Sequence, residues 1–244
     1  MNPVVKGVLL AGGTGSRLHP LTKVTNKHLL PVGRKPMIFH PLEQMIGAGI
    51  KDILIVTGRE HMGDIISLLG SGSEFGCRLT YRVQDQAGGI AEALGLARDF
   101  VGRDRMMVFL GDNIFEKPVR PSLERYLAQA HGARVLVKEV PDPHRFGVAE
   151  IVGDKIVDIQ EKPAHPKSNF AVTGVYLYDA QAFDIIDRIK PSARGELEIT
   201  DVNNAYAREG KLAFDTVDGW WTDAGTFESL ARANQLLLGG EASE

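Results

Sequence analysis

The sequence predicts an α/β protein: a doubly wound mixed sheet, parallel in its first half, with an antiparallel region added in its second. Three observations carry this. Apolar runs of strand length alternate with helix-length segments over residues 1–140, the pattern of crossover units on a mostly parallel sheet. A glycine-rich loop, Ala11-Gly-Gly-Thr-Gly-Ser-Arg17, directly follows the first apolar run. Beyond residue 141 the pattern changes to short runs, two of them separated by Gly153-Asp154, a two-residue hairpin signal.

The elements follow in order. Residues 4–10 form a first strand ending in glycines. Residues 36–50 place Met37, Leu42, Met45 and Ile46 at helical spacing, with Pro41 bending or delaying the helix. Residues 52–57 (DILIVT) read as a buried strand, 60–69 as a helix, 79–83 as a strand and 89–99 as an alanine-bearing helix. A strand over 106–110, a helix over 121–130 and a strand over 134–138 complete the first half. In the second half 148–152 and 155–160 form the hairpin, and 172–178 a strand with aromatics. Helices over 182–189 and 197–208, a strand over 212–217 and a final helix over 227–238 with Thr226 as N-cap close the chain. Residues 239–244 read as a frayed tail, and the whole of 1–244 as one domain.

Charge and composition exclude several classes. The formal net charge is −3 over 244 residues, so no strong positive field draws the chain to nucleic acid or an anionic membrane. No apolar stretch approaches the roughly 18 residues of a membrane-spanning helix. Lys6 interrupts the N-terminal apolar run and a glycine loop follows instead of a cleavage site, which argues against a signal peptide. A soluble cytoplasmic protein is expected. The lone Cys77 excludes an intramolecular disulfide. The seven histidines lack zinc spacing, and no Ser sits in a Gly-x-Ser-x-Gly elbow. The chain is rich in glycine, with 27 residues, where about 7% is usual. Such an excess suggests backbone that approaches something closely, or many tight turns.

The glycine loop supplies a first candidate site. Gly12, Gly13 and Gly15 allow consecutive N–H groups to point into one concavity, an anion nest, at the carboxyl end of a strand, where open α/β sheets bind ligands. The dinucleotide fingerprint fails because Leu18 stands where a third glycine is needed, and no Walker P-loop is present. A phosphate-binding loop with Arg17, Lys23 and Lys27 downstream remains; a plain strand-to-helix turn with solvated cations is the alternative. Asp112, in Gly111-Asp-Asn113 after an apolar strand, suits Mg²⁺, which takes few protein carboxylates plus substrate phosphates; an ordinary turn is the alternative. Asp223, in Trp220-Trp-Thr-Asp-Ala-Gly-Thr226, is a second candidate.

Leu10-Ala-Gly-Gly-Thr-Gly-Ser-Arg-Leu-His-Pro-Leu-Thr22 with Lys27-His-Leu-Leu-Pro-Val32 resembles the signature of sugar-1-phosphate nucleotidylyltransferases, most closely those that transfer a thymidylyl group to glucose 1-phosphate. The resemblance covers almost the whole chain. It implies a Rossmann-like fold of the nucleotide-diphospho-sugar transferase type. Residues 1–140 would form the nucleotide-binding half, with Leu10, Gly12, Gly13, Thr14, Gly15 and Ser16 on the phosphates and Gln84 and Gly89 on the pyrimidine edge. Residues 141–238 would form the sugar-phosphate half, with Gly147, Glu161, Lys162, the backbone of Val172, Thr173 and Gly174, and Arg194 in the pocket. It also implies Asp112 and Asp223 as Mg²⁺ ligands, and a homo-oligomer. Two positions depart from the pattern: Gly88 replaces the usual Asp, and His28 replaces a frequent Gln. Longer relatives continue into C-terminal helices associated with subunit contacts and an allosteric nucleotide site, so a short form without that extension is expected.

The chemistry so implied needs no general base. A sugar-1-phosphate oxygen, already anionic near pH 7, attacks the α-phosphorus of dTTP or UTP, and pyrophosphate leaves. The barrier is repulsion between anions, and its remedy is positioning and positive charge. Arg17, Lys27 and Lys162 are the catalytic candidates: Arg17 on the leaving group, Lys27 on transition-state charge, Lys162 on the attacking phosphate. The alternatives are a cytidylyl- or guanylyltransferase on another sugar phosphate, and a catalytically silent nucleotide-sugar-binding regulator. A metal-dependent glycosyltransferase would need an Asp-x-Asp, where this chain has Asp112-Asn-Ile114.

Overall fold

The computed structural model describes residues 4–241. Its strands are β1 (Val5–Ala11), β2 (Pro31–Val32), β3 (Lys35–Pro36), β4 (Asp52–Gly58), β5 (Arg78–Gln84), β6 (Arg105–Leu110), β7 (Asn113–Phe115), β8 (Ala133–Glu139), β9 (Gly147–Val152), β10 (Lys155–Glu161), β11 (Phe170–Tyr178), β12 (Leu212–Thr216) and β13 (Trp221–Asp223). Its α-helices are α1 (Phe39–Gly47), α2 (Met62–Leu69), α3 (Ile90–Gly95), α4 (Arg98–Val101), α5 (Arg120–Leu127), α6 (Gln181–Ile186), α7 (Ile199–Arg208) and α8 (Phe227–Glu241). Among the described residues no helix is long and apolar enough to cross a membrane.

One nine-stranded sheet runs in the order β10-β9-β11-β6-β1-β4-β5, with β8 pairing both β11 and β12. β1 lies at its centre, parallel to β4 on one side and β6 on the other. That position accounts for the buried apolar run of residues 8–11 in its C-terminal half, since a parallel strand covered on both faces has no solvent side. Alternate residues feed two cores: Val8 and Leu10 pack with Leu54, Val108 and Tyr178, and Leu9 and Ala11 with Ile53, Met107 and Phe109. α3, α6 and α7 cover the first face, and α1, α2 and α5 the second.

β11 joins the two halves. It pairs antiparallel with β6 through Val175–Tyr178 and with β8 along most of its length. β9 and β10 form the hairpin around Gly153, which adopts φ +63°. The antiparallel region is thus continuous with the parallel sheet.

Several boundaries differ from expectation. The 36–50 helix shortens to α1, because residues 31–36 turn back as the β2–β3 hairpin; Pro41 sits in the first turn of α1, where its missing N–H costs nothing. The 89–99 helix divides into α3 and α4 at Leu96 and Ala97. The last helix runs to Glu241, past 238, with Thr226 Oγ1 accepting from the Ser229 N–H at 3.2 Å as its cap. Of the expected tail, 239–241 are helical and 242–244 lie outside the described residues.

Candidate active site

A cleft of about 680 Å³ opens at the carboxyl ends of β1, β5 and β6. Leu10, Gly12 and Gly13 enter it from β1 and the loop after it, Gln84 from the end of β5 and Asp112 from the turn after β6. The opposite wall comes from the antiparallel strands, with Gly147, Glu161, Val172 and Gly174 facing in. Parallel strands deliver their C-terminal turns to one edge of the sheet, which is why residues so far apart in sequence meet there.

The glycine loop wraps this edge. Gly15 adopts φ +66°, a left-handed conformation that an L side chain resists, and the Thr22 hydroxyl donates to its carbonyl at 2.7 Å. A Cβ at Gly12 would lie 2.6 Å from Gln84 Oε1, so a side chain there would displace that amide. Arg17 and Lys27 line the cleft. Thr14 and Ser16 are exposed and do not line it, and Gly15 shapes the loop from outside the lining.

Two carboxylates converge beyond the loop. A Cβ built on Gly225 would lie 3.2 Å from Asp223 Oδ2, 3.4 Å from Asp112 Oδ2 and 3.1 Å from Arg17 Nη2. The backbone enforces this meeting. β13 pairs antiparallel with β7 so that Asp223 faces Asn113, and the Ala224 N–H donates to the Asp112 carbonyl at 2.8 Å. Each carboxylate already holds a cation: Lys27 Nζ lies 2.5 Å from Asp112 Oδ2, and Arg145 Nη2 lies 3.1 Å from Asp223 Oδ1.

The two carboxyls differ electrostatically. Burial works against ionisation of Asp112, but the Lys27 charge and hydrogen bonds from Lys27 and Asn113 hold its pKa well below the usual carboxylate range. Burial, and then the Asp112 charge, push Asp223 above its ordinary value, against the pull of Arg145, Arg17 and Lys27. Among the described residues no group of three or more His, Cys, Asp or Glu is placed to hold a metal ion. Two carboxylates facing an open cleft fit a hard divalent cation, which takes few protein carboxylates and keeps waters and phosphate oxygens as its other ligands.

On the opposite wall the Thr200 hydroxyl donates to Glu161 Oε2 at 2.6 Å. Lys162 follows at φ +44°, a strained conformation for a side-chain-bearing residue, fixed by its N–H donating to the Phe146 carbonyl at 3.0 Å. Arg194 lines the cleft but is engaged by carboxylates, bidentate to Glu198 at 2.9 Å and 3.5 Å from Glu161. The strand alternation that turns Val172 and Gly174 into the cleft buries the Thr173 side chain on the other face.

Residues 6–239 match the family described as nucleotidyl transferase. The chain belongs to that family. It is 46% identical over 237 residues to a glucose-1-phosphate thymidylyltransferase of Neisseria meningitidis, covering 96% of this chain and 82% of that one. It is 47% identical over 236 residues to one of Xanthomonas campestris pv. campestris, covering 95% and 80%. A crystal structure assigned as a glucose-1-phosphate thymidylyltransferase of Bacillus anthracis, in complex with sucrose, superposes with a TM-score of 0.93 at 62% identity, over 96% of this chain and 95% of that one. A UDP-glucose pyrophosphorylase complexed with UDP-glucose superposes with a TM-score of 0.84 at 25% identity, over 97% and 99%. The fold is therefore of the nucleotide-diphospho-sugar transferase type, and nucleotidyl transferases generally use a divalent metal.

Two residues that organise this nucleotidyl transferase site, Asn113 and Arg145, escaped the sequence reading, and His28 entered it only as a departure from the family pattern. Asn113, 3% exposed, joins three strands. Its Nδ2 donates to Asp112 Oδ1 at 2.9 Å, while its Oδ1 accepts from the Gly174 N–H and Trp221 Nε1, both at 2.8 Å. Gly174 is needed for this approach, since a Cβ there would lie 2.5 Å from the Asn113 amide. His28 is buried, and its Nδ1–H donates to Asn26 Oδ1 at 2.7 Å. Burial, and then the Lys27 charge, lower its pKa to about 3, so it is neutral at physiological pH. Arg145 bridges Asp142 and Asp223. Asn113 could have been flagged as the neighbour of Asp112; Arg145 carried no signal in sequence.

Proposed function

We propose that this nucleotidyl transferase moves a thymidylyl group from dTTP to glucose 1-phosphate, giving dTDP-glucose and pyrophosphate, with UTP as a second donor. The convergence of Asp112, Asp223 and Arg17 on one point beside the glycine loop carries the reading, together with relatives above 40% identity that bear this activity in their names. In this reading residues 1–140 carry the nucleotide and 141–238 the sugar phosphate, within one domain. The UTP arm draws on the neighbour that holds UDP-glucose.

The nucleophile is a phosphate oxygen of glucose 1-phosphate, ionised at neutral pH. A bond forms between it and the α-phosphorus, and the bond from that phosphorus to the bridging oxygen breaks, its electron pair leaving with pyrophosphate. The Gly12–Gly13 backbone and Arg17 hold the β- and γ-phosphates and the departing charge. Lys27, beside Gly13, places a positive charge near the α-phosphate. Lys162, held by the Phe146 carbonyl, aligns the attacking phosphate, and Glu161 accepts from sugar hydroxyls. Asp112 and Asp223 would hold Mg²⁺, which neutralises charge on phosphate oxygens when bound. Gln84 and Gly89 face the base.

Pyrophosphate release across dTTP, UTP, CTP and GTP, each with glucose 1-phosphate and Mg²⁺, tests the reading. Fastest turnover is expected with dTTP, followed by UTP. Turnover confined to CTP or GTP would assign the enzyme to a different nucleotide.

A further inference from the structure

Gln84 is 7% exposed, and its side-chain amide is committed on one side. Its Nε2 donates to Glu92 Oε2 and to the Gly89 carbonyl, the latter at 3.3 Å. An amide nitrogen carries two hydrogens, so both are used within the protein. Oε1 is the end left for a ligand, and it lies against Gly12 in the cleft. Glu92 does not line the cleft; it sits behind Gln84 on α3.

The space Glu92 occupies is created by Gly88. A Cβ at Gly88 would lie 3.1 Å from both Glu92 Cγ and Oε2, closer than nearly all real contacts. The carboxylate is an acceptor only, so it fixes the amide in one orientation: nitrogen toward Glu92, oxygen toward the cleft.

We infer that Glu92 is a positioning residue that sets base selection through Gln84. By holding the Gln84 oxygen toward the nucleotide, it selects a base that offers a ring N–H there, the N3–H of thymine or uracil. Cytosine, whose N3 is an acceptor, meets oxygen against nitrogen lone pair. This inference rests on the proposed thymidylyl transfer and names what makes it selective.

The test compares kcat/KM for dTTP and CTP with glucose 1-phosphate, and calorimetric binding of each triphosphate without the sugar. Glu92→Leu removes the acceptor and frees the amide to turn. The dTTP-to-CTP ratio should fall by about tenfold or more in both measurements. Glu92→Gln, which retains a carbonyl acceptor, should stay within about threefold of the parent. Glu92→Ala, which removes the carboxylate without adding bulk, should shift the ratio in the same direction as Glu92→Leu. A folded Glu92→Leu protein with an unchanged or larger ratio overturns the inference, and Glu92→Ala carries the same criterion should the leucine variant not fold. A parent enzyme that makes no sugar nucleotide from dTTP overturns the functional reading itself, which separates the two failures.

Discussion

Lys27 Nζ lies 2.5 Å from Asp112 Oδ2, so a cation from the loop after β1 holds the carboxylate that follows β6. Both side chains are nearly enclosed, at 11% and 14% exposure. Removing Lys27 strands a buried carboxylate and also takes a positive charge from the reaction centre. Lys27→Ala should lower kcat by about a hundredfold or more and destabilise the fold by about 2–3 kcal/mol. Steady-state kinetics and thermal unfolding check both.

Asn113 is a structural hub with a catalytic consequence. Asn113→Ala leaves the Gly174 N–H and Trp221 Nε1–H without their buried acceptor and frees one oxygen of Asp112. A loss of about 2–4 kcal/mol is expected, with weaker Mn²⁺ binding by electron paramagnetic resonance. A variant as stable as the parent, with undiminished Mn²⁺ affinity, would refute the hub role.

Gly89 stands where the halves of the cleft meet. It adopts φ +101°, and a Cβ there would lie 2.4 Å from the Leu197 carbonyl oxygen. The backbone of Leu197 bonds to Gly88 and Ala91 on either side. Gly89→Ala should push the 88–91 backbone off Leu197, lowering the melting temperature and raising KM for the triphosphate at least about fivefold. Unchanged values of both would contradict the close-approach argument.

His28 gives a pH dependence whose sign follows from its environment. Its ordinary pKa of 6.5 falls to about 3 in the fold. Between those values the unfolded chain binds a proton that the folded chain refuses, so stability from this residue is complete above pH 6.5 and is lost as the pH falls toward 3. Below about pH 6 the loss approaches 1.4 kcal/mol per pH unit. Denaturant unfolding at pH 7 and pH 5 should show a smaller difference in His28→Gln than in the parent. An equal difference would mean that His28 takes up a proton in the folded state.

Much of this arrangement is legible in the sequence because its signals are local. The loop at Gly12–Arg17 and the Asp after an apolar strand are short, ordered patterns, and unbroken apolar runs mark the buried parallel strands. What the sequence leaves out is tertiary. Asn113 looks like a turn residue until β13 brings Trp221 to it. The Thr173 side chain turns away from the cleft because neighbours on a strand face opposite ways. Arg194 has three carboxylates within reach, a crowding that no spacing reveals. The β2–β3 hairpin ends at Pro36, where the expected helix begins, so that the helix starts only at Phe39.

The central claim is that glucose 1-phosphate takes the α-phosphorus of dTTP in this cleft, with Arg17 on the leaving pyrophosphate. The most direct test incubates dTTP radiolabelled at the α-phosphorus with glucose 1-phosphate and Mg²⁺, for the parent and for Arg17→Ala. The parent should move the label into dTDP-glucose in step with pyrophosphate release, and folded Arg17→Ala should show no turnover. Label recovered as thymidine monophosphate without sugar nucleotide, or an unimpaired initial rate in Arg17→Ala, would contradict the account.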